Sequence, residues 1–557
     1  MTDESRRDAV APARRPQAFA VLVAAGILLS RIAGLIRQRV FAHYFGSSDA
    51  AGAFNAAMRI PNLLQNLFGE GVLSASFIPV YARLLAEGQK EVAGRVAGAV
   101  ASFLALIVSL IIVLGYLLTP FIVAIFLPGF DGEVRILTIR VVRILFPATG
   151  LLVLSAWCLG ILNSHRKFFL SYVAPVLWNA AMIATMIAFG ARLSQSSLAV
   201  ALAWGTVAGS ALQFGIQLPF VFRYAGSVRL ALDLTLEPVR QVFRNMGPVL
   251  LGRGAVQVSA YVDIIIASLL GAAAVATVAY AQMLYLLPIS LFGMSVAAAE
   301  LPQMASATGS REQIYASLRS RLERGLRQIS FFVVPTIVAF AILGDILVAA
   351  LYQTGAFVRD DTLLVWYILI GSTIGMLAST LGRLFNSTFY SMNDTRTPLL
   401  FAIVRVALAA LLALLFAFPL RPLIIRLFAG VLRLPLPSLA ESLVTMGAVG
   451  ITLATGIAAW VEFFLLRRAI RLRIGAVSIG IRHQAILWTG ALVAVAAAKA
   501  AQWTILPHLT PILPRIFGAH HIGIALLIAG VFGTVYLAIT WLLAIPESRR
   551  ILAMRGK

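Results

Sequence analysis

The sequence predicts an all-α polytopic membrane protein with fourteen transmembrane helices: two six-helix lobes related by a parallel repeat, then two C-terminal helices. Three observations carry that prediction. Of 557 residues, 60% are hydrophobic and only 12% charged, against roughly 25% charged in soluble domains; mean hydropathy is +0.93. Apolar stretches long enough to cross a hydrocarbon core of about 30 Å recur along the whole length. Short motifs also return in the same order about 224 residues later.

Taken in order, the stretches are 17–40, 50–82, 95–127, 135–162, 169–191, 197–222, 245–270, 275–304, 328–353, 362–390, 397–419, 443–466, 484–505 and 521–545. The polar tail 1–16, with Arg6, Arg7, Arg14 and Arg15, resembles a signal-peptide n-region. The apolar run behind it continues into Arg31 without a small-residue cleavage pattern, so it reads as an uncleaved first helix. Stretch 50–82 is the least hydrophobic and contains Pro61, which makes it the one expected to bend or break. In 197–222, Gly205 and Gly209 make a small-xxx-small face for close packing. Gln213 and Gln217 share a face there, for interhelical hydrogen bonds or for substrate.

The net charge of +23 would suggest nucleic acid in a soluble chain. In a chain this apolar it reports orientation instead, because cytoplasmic loops collect Lys and Arg. With the N-terminus cytoplasmic, those residues fall on the cytoplasmic side about four to one. Both termini are then cytoplasmic, in agreement with an even helix count.

The repeat fixes the topology. Asn163-Ser164 returns as Asn386-Ser387, Pro175 as Pro398, Leu67-Phe68-Gly69 as Leu291-Phe292-Gly293, Pro79 as Pro302, and Gly46 as Gly271. Six helices separate equivalent points, an even number, so both halves run the same way up. The expected organisation is a tail at 1–16, an N-lobe at 17–225 and a C-lobe at 226–475. Segment 476–557 adds two helices and a short cytoplasmic tail.

Chemistry concentrates between Ser30 and Arg83. Arg31, Arg37, Arg39, Arg59 and Glu70 lie in or beside apolar helix, where a central charge costs at least about 2.5–3.5 kcal/mol and normally faces a bundle interior or wet cavity. Arg39 is placed to snorkel to the interface; Arg31 lies deeper. A cavity lined with arginine suits an anion, and guanidinium binds phosphate bidentately. Asn179, Glu300, Arg383, Arg405, Glu462 and Lys499 are further polar groups at apparent membrane depth, about half of them expected to be structural pairs or snorkelling groups. The single Cys158 allows no intrachain disulfide, and the six histidines show no ligand-like spacing beyond His520-His521. An intramembrane enzyme would need clustered carboxylates with a metal, or a His/Arg/Ser constellation. The acidic pair Asp360-Asp361 reads as a solvated turn in an outer loop.

With these residues assembled, the chain resembles the MurJ (MviN) family, lipid II flippases of the multidrug/oligosaccharidyl-lipid/polysaccharide exporter superfamily. The resemblance rests on Ser30-Arg31-x-x-Gly34-x-x-Arg37, Pro61-Asn62-Leu63-Leu64, Phe68-Gly69-Glu70-Gly71, Phe77-x-Pro79, Leu162-Asn163-Ser164, Ala174-Pro175-Val176, Gln213-x-x-x-Gln217-Leu218-Pro219, Phe389-Tyr390-Ser391 and Asp394-Thr395-x-Thr397-Pro398. It implies a transporter, not an enzyme, in the bacterial cytoplasmic membrane. Its lobes would surround a cationic cavity, with a groove for the polyprenyl tail made with the last two helices. Lipid II would cross to the outer leaflet by alternating access, its pyrophosphate held by arginines. Another polyprenyl-linked oligosaccharide is the alternative cargo.

By position, Arg31 and Arg37 match the family's cavity arginines and Glu70 their acidic partner. Arg59, Asn62, Gln65 and Asn66 complete the substrate-binding set, although Gln65-Asn66 stand where many members have an arginine pair. Gln282-Met283 likewise replaces an arginine expected after Tyr280-Ala281, and Arg253 is the candidate substitute. Some members carry a sodium site. Here Asp263 and Thr455 are candidate ligands, but the eleventh helix supplies no carboxylate or amide, and a cation needs several oxygens. No cofactor is expected, and membrane potential acting on the arginines is the simpler drive, at about 2.3 kcal/mol per charge per 100 mV. Expected partners are lipid II, membrane lipid and cell-wall synthesis proteins, with no nucleic acid.

Overall fold

In the computed structural model, regular secondary structure is helical, and no strand occurs among the described residues. The structure describes residues 15–226, 228–306, 308–431, 435, 440–509 and 519–554, with side chains outside 15–25, 27, 251–260, 431, 440–442, 505–509, 519 and 551–554. Eleven helices among the described residues are long and apolar enough to cross a membrane. They coincide with the third to sixth and eighth to fourteenth sequence stretches. The first and seventh stretches lie in helices Arg15–Phe45 and Glu237–Ser268.

The second stretch is divided, but not at its proline. Helices Asp49–Phe68 and Glu70–Ala86 meet at Gly69, while Pro61 stays inside the first of them. Proline there removes one intrahelical bond, a loss that neighbours in a membrane bundle can cover. At Gly69 the obstacle is steric. Its N–H bonds the Gln65 carbonyl at 2.7 Å, and a Cβ would fall 2.2 Å from that oxygen. Only glycine lets one helix turn directly into the next.

The repeated motif marks an irregularity in both of its copies. Leu291-Phe292-Gly293 lies in a π-helical turn, Ile289–Met294, between helices Ala272–Pro288 and Ser295–Ala305. Such turns are rare and tend to occur at functional positions. A Cβ on Gly293 would meet Thr380 Cγ2 at 2.4 Å, so the turn lies close against helix Arg359–Ser391.

The chain forms two compact units. The first comprises Met1–Phe41, Ala57–Ile122 and Leu137–Gln257; the second comprises Ala42–Ala56, Val123–Ile136 and Val258–Lys557. In the first, Leu73, Phe77, Tyr81, Val100, Val153, Trp157 and Ile161 share one buried cluster. Trp157 Nε1 donates to the Ala97 carbonyl at 3.1 Å. Gly205 and Gly209 do bring helix Gln195–Ala225 close to helix Phe168–Phe189: Cβ atoms would lie 2.2 Å from Thr185 Oγ1 and 2.9 Å from the Trp178 carbonyl. Gln213 and Gln217 resolve as interhelical hydrogen-bonding groups. Ser155 donates to Gln217 Oε1 at 2.9 Å and accepts from Gln213 Nε2 at 3.0 Å.

In the second unit, helix Arg359–Ser391 packs against Ala272–Pro288, Arg311–Ile342 and Gly447–Ile474. Gly375 and Gly456 touch, a Cβ on Gly375 falling 2.4 Å from the Gly456 Cα. The last two spanning helices, Ile481–Leu509 and Ala519–Leu542, pack on each other and on this unit, with Tyr536 Oη donating to the Phe331 carbonyl at 2.8 Å. One expectation fails here. Asp361 is not in a solvated turn but 8% exposed. It accepts from the Val358 N–H at 2.9 Å and from the Ser47 hydroxyl, because a carboxylate three residues past a helix start can satisfy the orphan N–H groups there.

Asp394, in the turn before helix Arg396–Ala417, shows what the Asp-Thr-x-Thr-Pro motif does physically. Its carboxylate accepts from the N–H groups of Arg396 and Thr397, both at 3.0 Å, from the Thr397 hydroxyl at 2.7 Å, and from Arg473. These donors, led by the Thr397 N–H, hold its pKa down to about 2. A carboxyl depressed in the folded state contributes stability above its unfolded pKa of about 3.9 and loses it as pH falls through the folded value. Asp394→Asn should therefore melt below wild type at neutral pH, and the gap should close between about pH 4 and pH 2. Thermal melts across that range check it; a gap unchanged at the acid end would refute the charge explanation.

Candidate functional site: a cationic strip in the first unit

Helix Arg15–Phe45 carries the leading candidates. Arg31 and Arg37, six residues apart, are separated by about 9 Å along the axis and about 120° around it. They therefore meet different surroundings. Arg31 is exposed, on a turn with exposed Leu28, Leu29 and Ile32. Arg37 is half-buried, its guanidinium 4.9 Å from the Trp178 ring centroid, with Nη1 donating to Met182 Sδ at 3.8 Å. Gly26 makes this approach possible, since a Cβ there would lie 2.8 Å from Tyr172 Cβ. Residues 26 and 37 meet 172 and 178–182 in the same order, so the two helices run parallel.

This cradle has a chemical consequence. A guanidinium stacked on an indole is held by its face, and its N–H edge stays available. Among the described residues Arg37 has no carboxylate within ion-pair distance. Beside it, the buried Trp178 Nε1 has no acceptor among the described residues. A fixed cation and an unused N–H donor thus lie together, an arrangement that suits an oxyanion.

On helix Asp49–Phe68, Arg59, Asn62 and Asn66 recur at helical spacing and share a face. Arg59, Asn62 and Gln65 are half-buried and Asn66 is exposed. Glu70 is the first residue of helix Glu70–Ala86 and exposed, a position where a carboxylate is favoured by the helix dipole. It belongs to no ion pair among the described residues. Arg31, Arg37, Arg59, Asn62, Gln65, Asn66 and Glu70 all belong to the first unit. The Arg253 side chain lies outside the described residues.

The second unit holds the remaining polar groups. Thr455 Oγ1 donates to Asp263 at 3.5 Å and to the Ile451 carbonyl at 3.0 Å, so the two candidate sodium ligands do come together. Among the described residues no group of three His, Cys, Asp or Glu is positioned for a metal. Arg405 Nη1 pairs with Glu462 at 3.3 Å, with Arg383 and Tyr285 in electrostatic reach. Arg321 pairs with Glu300 at 3.6 Å, and Asn179 donates to the Pro175 carbonyl on its own helix at 3.0 Å. Sequence reasoning missed Trp178 and Met182 as the cradle of Arg37. The available signal was their i, i+4 spacing beside the buried Asn179.

Comparison with known proteins places this chain in a family. Residues 41–517 match the family model described as lipid II flippase MurJ. A probable lipid II flippase MurJ of Rhizobium meliloti (strain 1021) is 30% identical over 452 residues, 80% of this chain and 78% of that one. The lipid II flippase MurJ of Burkholderia cenocepacia is 29% identical over 462 residues, 82% of this chain and 84% of its own. In fold, the chain is similar to a lipid II flippase MurJ structure in an inward closed conformation, at TM-score 0.70 and 22% identity, covering 93% of this chain and 99% of that one. It is also similar to an inward-facing MATE multidrug transporter of the MOP superfamily, at TM-score 0.58 and 18% identity, covering 81% and 98%. A family match over most of the length of a chain of membrane-spanning helices leaves one conclusion: this chain belongs to the MurJ family of lipid II flippases.

Proposed function

We propose that the protein flips lipid II from the cytoplasmic to the outer leaflet by alternating access, as a transporter without covalent chemistry, and that the first unit holds the pyrophosphate. Family membership supports the activity. The observation that carries the site is Arg37, fixed on Trp178 at 4.9 Å with no carboxylate partner among the described residues. Arg31, Arg59, Asn62, Gln65, Asn66 and Glu70 form the rest of the proposed head-group surface, and Arg253 is assigned to it by sequence position. A pyrophosphate needs opposing charge within a few ångströms once it leaves water, and arginine supplies it with directional N–H groups. Membrane potential acting on the loaded site is the proposed drive. Complementation of a flippase-depleted bacterium, with lipid II topology measured directly, tests the activity: lipid II confined to the inner leaflet would overturn it.

The proposed setting is the bacterial cytoplasmic membrane, with both termini cytoplasmic, lobes at 17–225 and 226–475, and two added helices in 476–557. Cysteines placed at Ser47, Gly132 and Ser194 should react with an impermeant thiol reagent from outside, and those at Gly88 and Ser310 should not. The reverse pattern at either group would contradict this topology.

A further inference from the structure

We propose that the cytoplasmic end of helix Gly447–Ile474 is a binding site for the phosphate-bearing headgroup of an anionic membrane phospholipid. The site is a cavity of about 250 Å³ lined by Phe464, Arg467, Arg468, Arg471, Ala476 and Val477. Phe464, Arg467, Arg468 and Arg471 stand at i, i+3, i+4 and i+7, so they form one stripe along the helix. All four are exposed, and Trp460, one turn further into the span, stacks on Phe464 at 5.6 Å. The stripe therefore runs from aromatic to cationic toward the helix end, matching the order from acyl boundary to headgroup in a leaflet.

Two features separate this cavity from an ordinary positively charged helix end. Gly475, at φ +95°, turns the chain out of the helix, and Ala476 and Val477 beyond it line the same cavity as the arginines. The three guanidiniums are also unneutralised. Nearby Arg473 is engaged by Asp394 and Thr397, whereas Arg467, Arg468 and Arg471 belong to no ion pair among the described residues. Three like charges on adjacent turns repel one another. An anion seated among them removes that repulsion, and basic pockets at the cytoplasmic ends of membrane helices favour acidic headgroups. The aromatic arm of the stripe commits the site to a lipid and not to free phosphate, because Phe464 and Trp460 offer surface for an acyl chain.

The test uses the full-length protein purified in detergent, with retained lipid measured by mass spectrometry and thermal stability read in parallel. Wild type should retain phosphatidylglycerol over phosphatidylcholine and melt higher in its presence. The R467Q/R468Q/R471Q variant should lose that preference, by on the order of tenfold or more, while melting like wild type in detergent alone. Phe464→Ala should weaken retention in part. R223Q/R240Q/R244Q removes three cytoplasmic charges from the first unit and should retain the preference. Equal loss in both triple variants would mean diffuse surface charge and would overturn the site. Protection of wild type by inorganic phosphate as strong as by phosphatidylglycerol would overturn the lipid assignment.

Discussion

Arg37→Ala is expected to abolish flipping while the protein still reaches the membrane. Deleting the guanidinium removes the stacking on Trp178 and the contact to Met182 Sδ, worth about 0.5–2 kcal/mol of packing. It also removes a charge from membrane depth, which favours insertion, so folding should survive. The lost phosphate contact is a different quantity. A charge-assisted hydrogen bond is worth about 1.5–3 kcal/mol, and a guanidinium offers two to a pyrophosphate. Losing both lowers the rate on the order of a hundredfold or more. Arg37→Lys keeps the charge but not the bidentate geometry or the planar stack, so it should retain only part of the activity. Arg31→Ala should also be inactive, although Arg31 has no such cradle. In vivo complementation at matched membrane levels, with lipid II topology as readout, checks all three; wild-type growth of Arg37→Ala would remove the anchor from the proposed site.

Glu462→Gln should give the largest stability loss in the second unit. Glu462 is 7% exposed and pairs with Arg405 at 3.3 Å, with Arg383 also acting on it. Neutralising the one carboxylate leaves two guanidiniums facing each other in a low-dielectric bundle. Breaking a buried pair from one side costs about 3–5 kcal/mol, because the remaining charge is uncompensated. Removing both members is far milder, so adding Arg405→Met to Glu462→Gln should recover much of the lost melting temperature. This double-mutant cycle separates an ion pair from a packing role. A double variant no more stable than Glu462→Gln alone would count against the pairing.

The sequence by itself determined that this is a helical membrane protein and that it belongs with the lipid II flippases. Those properties follow from local terms. Hydrophobic length sets a span, and motifs such as Asp394-Thr395-x-Thr397-Pro398 are read within one turn of chain. The sequence also brought forward Arg31 and Arg37, because a charge in apolar helix stands out by cost alone, while Asp263 and Thr455 came forward only through the family resemblance.

Tertiary structure decided what each of them meets. Arg31 and Arg37 look alike in sequence, yet one is exposed and the other lies on an indole, since their 120° separation points them at different neighbours. Which helix supplies that indole is a matter of packing between residues 145 apart or so, beyond the reach of periodicity. The second helix was expected to yield at Pro61 and divided at Gly69, because a missing hydrogen bond can be covered by neighbours, while the turn at 69 has room only for a residue without a Cβ. Asp361 looked like a solvated loop carboxylate and is buried, satisfied by Ser47 from more than 300 residues away in sequence. Arg405 and Glu462 were separate polar groups until the packing of helix Arg396–Ala417 on helix Gly447–Ile474 made them a pair. In each case local energetics fixed the kind of group at a position, and only the fold could choose its partner.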